Sequence, residues 1–355
     1  MLVSMKRPEI RPWHGLLLVP IVALGILGYW QQPFAVKSCL VGPGARCFRA
    51  DLSGRSLRRA HLQGADLRQA QLVGTVLEDA NLAGARLDGS VMIGADLERA
   101  NLSGASLRKV LCRACDLESA QLWGADLRDA DVSGADLESA KLRFAKLQKT
   151  QLQGNDMESA DLQFSDATGA DFTGANLGRA RLSDANLNRT RLQGANLSSA
   201  RLDQATLVGA DLRKAQLGLR VVRSGEKVDS LLIPDSNPCF PMASCQVTDP
   251  SNQRISDDIG VGALLVNTDF SGADLRGADL QGVVMVGGSL RHARLAGATT
   301  QGARWLDVGF QHTHCPDGRA RSTPCPGFQT PEGELERGQA LARVAWLRSL
   351  PWPWD

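Results

Sequence analysis

The sequence predicts an all-β solenoid, a coil wound from short strands, and three observations lead to this. A five-residue phrase repeats thirty-four times without a break between residues 50 and 219. Leu occupies the third position of twenty-eight copies, and Ala occupies the first position of twenty-five. A period of five fits neither the 3.6 residues of a helical turn nor the alternation of a long strand. Self-similarity at a fixed period is instead the signature of a solenoid.

Each repeat contains an inward-facing pair and a turn. Residues two apart in an extended segment point to the same side, so the Ala and the Leu of one copy share a face. The fourth and fifth residues turn the chain, and Gly is frequent at the fifth. Repeated turning in one sense lines the inside of the coil with Ala and Leu. Ala167 is the smallest third-position residue, and we expect Phe172 in the next repeat to fill the volume it leaves, since cores are densely packed.

The repeated phrase itself resembles that of the pentapeptide-repeat family. Ala65-Asp66-Leu67, Ala80-Asn81-Leu82 and Ala195-Asn196-Leu197 follow its A(D/N)Lxx pattern, and a second block over residues 263–307 is similar to it. The resemblance implies a right-handed quadrilateral parallel β-helix with four repeats per turn and with the first and third residues inside. The family is functionally mixed, so the resemblance implies a fold and leaves the activity open.

An apolar run near the N-terminus predicts a transmembrane anchor at residues 13–30, behind a cytoplasmic tail at 1–12. The run is uncharged from Gly15 to Trp30, and aromatic residues stand at both of its ends, as in membrane-spanning helices. A cleaved signal peptide and a buried soluble helix are the alternatives. We favour the anchor because no small-residue cleavage site follows the run. Basic residues are equally frequent on its two sides, so they do not set the orientation.

Eight cysteines form four close pairs, and three of these pairs lie outside the regular repeats. Even numbers of cysteines in irregular segments are typical of an oxidising compartment, so we expect three disulfides and a periplasmic location of the soluble part. A zinc site made by His312, His314, Cys315 and Cys325 is the alternative for the last pair. Cys112 and Cys115 occupy inward positions, and we expect them to be buried free thiols. The predicted disulfides are Cys39–Cys47, Cys239–Cys245 and Cys315–Cys325.

The remaining segments are assigned from composition. Residues 31–49 are predicted to be a linker and N-terminal cap, 50–219 the main solenoid, and 220–262 an inserted loop rich in Pro, Ser and Asp. The block at 263–307 is predicted to resume the same stack. Residues 308–355 are predicted to be a disulfide loop with a turn at Cys315–Gly318, followed by an amphipathic helix. This helix is expected to cap the open end of the solenoid, and a membrane or partner contact through Trp346, Trp352 and Trp354 is the alternative.

With twenty residues per coil, residues twenty apart stack on one face, so the sequence becomes a surface map. Two neighbouring columns on one face are acidic, which predicts a candidate interaction face for a basic partner. A solvated face without a binding role is the alternative. Like charges about 5 Å apart repel, so such a ladder is a poor choice for stability alone. Its residues are Glu78, Asp96, Glu98, Asp116, Glu118, Asp136, Glu138, Asp156 and Glu158.

Two further surfaces follow from the same map. The opposite face is predicted to be basic, with Arg68, Arg86, Arg108, Lys109, Arg128, Lys146 and Lys149 interspersed with Asp66, Asp88, Asp126, Asp129 and Asp166. A third face carries an aromatic patch, Trp123, Phe144 and Phe164, in which the two Phe residues are twenty apart. Contiguous exposed aromatics are typical of interfaces, whereas isolated ones need no explanation.

These features predict a non-catalytic, membrane-anchored scaffold of a bacterial envelope that binds protein partners. The sequence contains no glycine-rich phosphate loop, nucleophile elbow or metalloprotease motif, and we expect no cofactor and no metal. The net charge of +2 favours no nucleic-acid partner. Two alternatives are a DNA-mimic-like binder of DNA gyrase or another basic protein, which the resemblance suggests, and a surface that binds divalent cations. Homo-oligomerisation is left open.

Overall fold

The computed structural model describes residues 39–218 and 263–326, and in these ranges the chain winds into a parallel β-helix with four faces. The second residue of each repeat forms a parallel bridge with the residue one coil later, as Asp96 does with Asp116. One column of bridges runs from Arg46 to Gly309 through twelve coils. At the strand spacing of about 4.8 Å the stack is roughly 50 Å long.

The corners explain why Gly is frequent at the fifth position. The amide of each first residue usually donates to the carbonyl oxygen of the preceding third residue, as from Ala80 N to Leu77 O at 2.9 Å. The residue between them in the fifth position adopts a left-handed conformation, with φ of 61° at Gly124 and 58° at Phe144. Glycine adopts this conformation without steric cost, whereas other residues do so at some cost in free energy.

The core is a narrow column of first- and third-position side chains. Leu77 and Ala80 are fully buried, and so is Phe172, whose predicted inward position is consistent with the structure. Several threonines at first positions bond to the neighbouring coil. Thr75, for example, donates from Oγ1 to the Leu52 carbonyl oxygen at 2.9 Å. Such partners remove the cost of burying a hydroxyl group in this core.

The solenoid begins one repeat earlier than the sequence predicts. Residues 45–49, assigned above to the linker and N-terminal cap, form a regular repeat in which Arg46 bridges to Asp66. Cys47 takes the third position and is 1% exposed. The repeat was not recognised in the sequence because a cysteine stands where Leu is usual.

The second block continues the same stack across the insertion. Ala263 N donates to Leu217 O at 2.7 Å, and Asp269 bridges to Thr206 as though the intervening 43 residues were absent. On one face of this block the bridges extend into three-residue parallel strands. These are β1 (Leu264–Val266), β2 (Val284–Val286) and β3 (Arg304–Leu306), in the order β1-β2-β3 and in register at twenty-residue intervals.

The assignment of residues 308–355 to a loop and helix is wrong at its start. Gly309 bridges to Ser289 and His314 bridges to Arg294, so residues 308–317 add two further repeats. Their third positions hold Phe310 and Cys315 in place of Leu, which concealed them in the sequence. The predicted turn is present, with Gly318 N donating to Cys315 O at 2.8 Å. It joins β4 (Thr313–His314) to β5 (Ala320–Arg321) in an antiparallel pair.

Several predicted segments lie outside the described residues. They are the anchor at 13–30, the inserted loop at 220–262 and the C-terminal amphipathic helix beyond residue 326. Within residues 39–218 and 263–326 the structure contains no helix long and apolar enough to cross a membrane.

Candidate interaction surfaces

The Asp and Asn residues at second positions have a structural role. A carboxylate or amide oxygen there accepts a hydrogen bond from the backbone N–H two residues later, as Asp136 Oδ1 does from Glu138 N at 2.9 Å. The same contact joins Asn81 to Ala83 N at 3.1 Å and Asp171 to Thr173 N at 3.0 Å. Short acidic and amide side chains favour turns of this kind because they satisfy a backbone donor locally. The second-position Asp residues therefore have a reason to be present on any face.

The predicted acidic ladder is neutralised at both ends. Glu78 is 7% exposed and forms ion pairs with Arg58 and Arg99. Arg99 also pairs with Glu98, and Arg179 reaches Glu158 at 3.6 Å. These glutamates are thus held by basic side chains of the same surface. A partner would have to displace those contacts to bind there.

The middle of the ladder keeps its negative charge. Glu118 and Glu138 are exposed, and no ion pair is recorded for either among the described residues. The bridges Asp116 to Asp136 and Asp136 to Asp156 place their carboxylates in consecutive coils. Hereafter the acidic face means Asp116, Glu118, Asp136, Glu138 and Asp156.

The electrostatics of the acidic face are visible at Glu138. Partial burial raises the pKa of this carboxyl, and the charges of Asp156, Glu118, Asp136 and Glu158 raise it further. Its ionised form is therefore less favourable in the folded protein than in water. A cation that approaches this face would relieve the repulsion.

Two arginines of the opposite face, Arg68 and Arg128, pair within their own repeats. Arg128 donates from Nε to Asp126 at 2.8 Å, and a second bond from its Nη2 makes the contact bidentate. Arg68 holds Asp66 in the same way at 2.7 and 2.6 Å. These guanidinium groups lower the pKa of Asp66 and of Asp126. The Asp-x-Arg spacing thus forms a closed ion pair. The other basic side chains predicted for this face form no ion pair among the described residues, so the face keeps free positive charge.

The predicted aromatic patch is a contiguous surface. The rings of Phe144 and Phe164 stack with centroids 5.1 Å apart and an interplanar angle of 11°. The Arg143 guanidinium lies 5.7 Å from the Trp123 ring centroid and 5.6 Å from that of Phe164. All three aromatic side chains stay exposed, at 51% for Trp123, 53% for Phe144 and 44% for Phe164. A cation–π contact therefore joins the three aromatic residues into one patch.

Comparison with known proteins agrees with this architecture. A family model described as pentapeptide repeats matches the chain in eight copies, over residues 45–82, 75–111, 105–143, 115–154, 135–174, 175–213 and 261–291, which together exceed half its length. The chain belongs to the pentapeptide-repeat family. Proteins of this family form right-handed β-helix solenoids, and they are generally structural or interaction proteins without catalysis.

Solved pentapeptide-repeat proteins resemble the chain to different extents. HetL from the cyanobacterium Nostoc sp., a pentapeptide repeat protein involved in heterocyst differentiation regulation, is 28% identical with a TM-score of 0.44, over 72% of this chain and 91% of HetL. A thylakoid-lumen protein of Arabidopsis thaliana is 29% identical with a TM-score of 0.24, over 30% of this chain and 70% of that protein. QnrB1, a plasmid-mediated fluoroquinolone resistance protein, is 15% identical with a TM-score of 0.31, over 77% and 96%. No curated protein matches the chain.

This pentapeptide-repeat protein also has an aliphatic surface that the sequence analysis did not identify. Val73, Ile93 and Leu111 are 39–40% exposed, and half-buried Val91 lies between them on adjacent coils. The signal was present in the sequence, since residues 91 and 111 and residues 73 and 93 are spaced by twenty. The map of the outward columns considered charged and aromatic side chains and left these aliphatic ones out.

The cysteines of the described residues are all joined in pairs. Disulfides link Cys39 to Cys47 and Cys315 to Cys325, with Cα atoms 5.1 and 5.4 Å apart. The zinc alternative at Cys315 and Cys325 is not favoured, because the structure joins these two sulfurs to each other. Cys239 and Cys245 lie outside the described residues.

The expectation of free thiols at Cys112 and Cys115 is wrong. The structure joins them by a disulfide with Cα atoms 5.4 Å apart. Cys112 ends one repeat's inward pair and Cys115 begins the next, so both sulfurs lie behind the same corner. Inward orientation was correctly predicted, but the corner brings this third position and the following first position close enough to be bonded.

Proposed function

We propose that this pentapeptide-repeat protein is a non-catalytic scaffold whose acidic face binds a basic segment of a protein partner. One observation carries the proposal: Glu118 and Glu138 are exposed, stacked one coil apart and not compensated by a described basic side chain. The glutamates at both ends of the same column have such compensation. Within this column of glutamates, the uncompensated charge thus lies in the middle.

The fold does not require glutamate at these two positions. Glu118 and Glu138 are fourth-position residues, which face outward in a turn, and other repeats place Arg143, Ser53 or Gln63 there. In the hydrogen bond that closes each turn, the backbone N–H of the fourth residue donates to the carboxylate of the second-position Asp. Any side chain at the fourth position preserves that bond. Repulsion between neighbouring carboxylates opposes folding, so a binding role accounts for them better than stability does.

A matched pair of variants tests this proposal. Glu118→Gln/Glu138→Gln removes two charges from the acidic face and keeps every turn bond. Asp88→Asn/Asp129→Asn removes two charges from the opposite face. We expect the first variant to recover less of its protein partner than the parent in affinity purification, and recovery by the parent to fall with salt. The second variant should behave as the parent does.

Equal recovery by both variants and the parent at low and high salt would remove the docking role. Loss of recovery by the opposite-face variant alone would assign binding to another face. Both variants retain the core, so their thermal unfolding serves to verify the fold before partners are compared.

We further propose that residues 13–30 anchor the scaffold in a membrane with its solenoid outside the cytoplasm. The support is the uncharged apolar run with its aromatic ends and the even number of cysteines. Alkaline phosphatase, which is active only after export, can be fused behind Asp355. Activity well above cytosolic background is expected, and background activity would contradict both the location and the compartment inferred from the cysteines.

A further inference from the structure

We propose that Cys112 and Cys115 form a reversible redox pair, which a dithiol can reduce while the solenoid stays folded. The pair bridges the outer corner made by Arg113 and Ala114 and lies in a Cys-x-x-Cys spacing. Disulfides of this spacing close a very short loop, so they restrict the unfolded chain less than long-range ones do. Breaking the bond therefore leaves most of the stability of the fold in place.

A hydrogen-bond acceptor for the reduced thiol of Cys115 is already in place. Its Sγ lies 2.9 Å from the carbonyl oxygen of Met92, 23 residues earlier. Thr75, two coils away in the same column, donates to the carbonyl oxygen of Leu52 across the same separation of 23 residues. Thr150 and Thr313 repeat this contact with Leu127 and Leu290, also 23 residues earlier. A reduced Cys115 thus occupies a position at which other coils place a threonine hydroxyl that donates to the carbonyl oxygen 23 residues earlier.

The corner at the disulfide is held differently from its neighbours. In the coils before and after it, the corresponding amide donates across the corner, from Ala95 N to Met92 O at 2.8 Å and from Ala135 N to Val132 O at 3.2 Å. Among the described backbone bonds, the one from Cys115 N to Cys112 O is missing. The covalent link therefore stands where a hydrogen bond closes the other two corners, so once the disulfide is reduced no backbone hydrogen bond holds this corner closed.

Space for the separated sulfurs lies beside the bond. A small apolar cavity of about 10 Å³ is lined by Cys112, Met92, Val132 and neighbouring leucines. It arises because Cys112 and Val132 are smaller than the Leu that usually fills the third position. The Cys112 thiol lines this space and can move away from Cys115 into it.

The exchange balances as an ordinary thiol–disulfide reaction. Both sulfurs are buried, with Cys112 3% and Cys115 1% exposed, so the exchange requires the corner at Arg113 and Ala114 to open locally. A thiolate of the dithiol then attacks Cys112 Sγ, the Cys112–Cys115 bond breaks, and the Cys115 thiolate takes up a proton. The resulting thiol donates a hydrogen bond to Met92 O. The second thiol of the reductant then attacks the mixed disulfide and releases Cys112. Two electrons and two protons pass from the dithiol to the protein, and the dithiol becomes a disulfide.

The first test uses the purified full-length chain in detergent with graded ratios of reduced to oxidised dithiothreitol. After an acid quench, alkylation under denaturing conditions and peptide mapping report the redox state of each cysteine. We expect Cys112 and Cys115 to be reduced together and reversibly, as their alkylation reports. This should occur at ratios that leave the circular dichroism spectrum unchanged and the thermal unfolding cooperative. Reduction that occurs only at denaturant concentrations that unfold the solenoid would overturn the proposal.

The second test uses a pair of variants and needs no reductant. In Cys112→Ala/Cys115→Thr a hydroxyl replaces the thiol, whereas Cys112→Ala/Cys115→Val has the same shape and no donor. We expect the Thr variant to melt at a higher temperature by a few degrees, since its hydroxyl reaches the Met92 carbonyl oxygen as in the other columns. An equal or lower melting temperature would overturn the assignment of that oxygen as the acceptor of the reduced state.

Discussion

Phe144 and Phe164 stack on the outside of the solenoid with ring centroids 5.1 Å apart, although both occupy the left-handed corner conformation that favours glycine. Gly104 and Gly124 hold the same corner in the two preceding coils. The backbone therefore gives no reason for an aromatic side chain there. An exposed pair that opposes the local backbone preference is more simply explained by contact with a partner than by stability.

This relationship predicts that removing the pair leaves the fold intact. In Phe144→Gly/Phe164→Gly two kinds of effect oppose each other. Glycine relieves the cost of the left-handed conformation, about 1–2 kcal/mol per residue. The loss of a stacked pair worth about 0.5–1.5 kcal/mol and the added freedom of the unfolded chain act in the other direction. We expect the free energy of unfolding to change by about 1 kcal/mol or less in urea denaturation. Leu162→Ala, in the repeat of Phe164 but buried, is the control and should cost about 2–5 kcal/mol. A loss of that size in the double variant would show that the patch is structural.

A second prediction concerns Phe172, one of the large aromatic side chains of the core. Phe172 is fully buried in the repeat after Ala167, which is also fully buried. Phe172→Ala should lower the free energy of unfolding by about 3–5 kcal/mol, because it removes the ring from a site where the neighbouring third position is already small. Phe164→Ala removes the same atoms from an exposed position and should cost less than about 1 kcal/mol. Similar losses for the two variants would contradict the assignment of Phe172 to the core.

The sequence predicted the columns of this structure but not the contacts between their side chains. A period of twenty placed Asp116 beneath Asp136 and Phe144 beside Phe164, because the backbone of a solenoid repeats exactly with its sequence. The neutralisation of Glu78 by Arg58 and Arg99 could not be predicted in this way. It depends on side-chain conformations, which long, flexible residues choose from many alternatives.

The ends of the solenoid were mispredicted for a related reason. Residues 45–49 and 308–317 are regular repeats that carry Cys47, Phe310 and Cys315 where Leu is usual. A terminal coil has a neighbour on one side only, so its third residue is less restricted to Leu. The Cys112–Cys115 disulfide was missed because two inward positions on different faces meet at a corner, which a map of faces does not show.

A third prediction arises from an unpaired polar group in the core. Asn155 stands at a first position with 2% exposure, and in the described structure neither its Oδ1 nor its Nδ2 has a hydrogen-bond partner. Threonine at first positions elsewhere reaches a carbonyl oxygen of the preceding coil, as Thr75 and Thr150 do. Asn155→Thr should therefore raise the free energy of unfolding by about 1–3 kcal/mol, the cost of an unsatisfied buried polar group.

The control for Asn155 reverses the exchange. Thr150→Asn introduces the longer amide one repeat earlier and should lower the free energy of unfolding by a similar amount. If Asn155→Thr destabilises the protein instead, the amide of Asn155 must have partners within the core, and the substitution would have removed them.

The last prediction uses pH to separate repelled carboxylates from paired ones. Burial and neighbouring carboxylates raise the pKa of Glu138, so its ionisation opposes folding above that pKa. Glu138→Gln should then be more stable than the parent at pH 7, by a few tenths of a kcal/mol, since the side chain is exposed. The gain should vanish as pH falls below about 4.3, the ordinary pKa of glutamate, because the parent then folds with a neutral carboxyl.

Asp126→Asn should show the opposite sign. The hydrogen bond from Arg128 lowers the pKa of Asp126, so the ionised carboxylate contributes stability above the ordinary aspartate value near 3.9. The variant should be less stable than the parent at pH 7, by about 0.5–1 kcal/mol, and the difference should shrink as pH falls through the lowered pKa. Urea denaturation of the parent and both variants between pH 7 and pH 3 measures the two differences. If both variants lose stability at neutral pH, then Glu138 is paired rather than repelled. The acidic face would then hold no free charge to offer a basic partner.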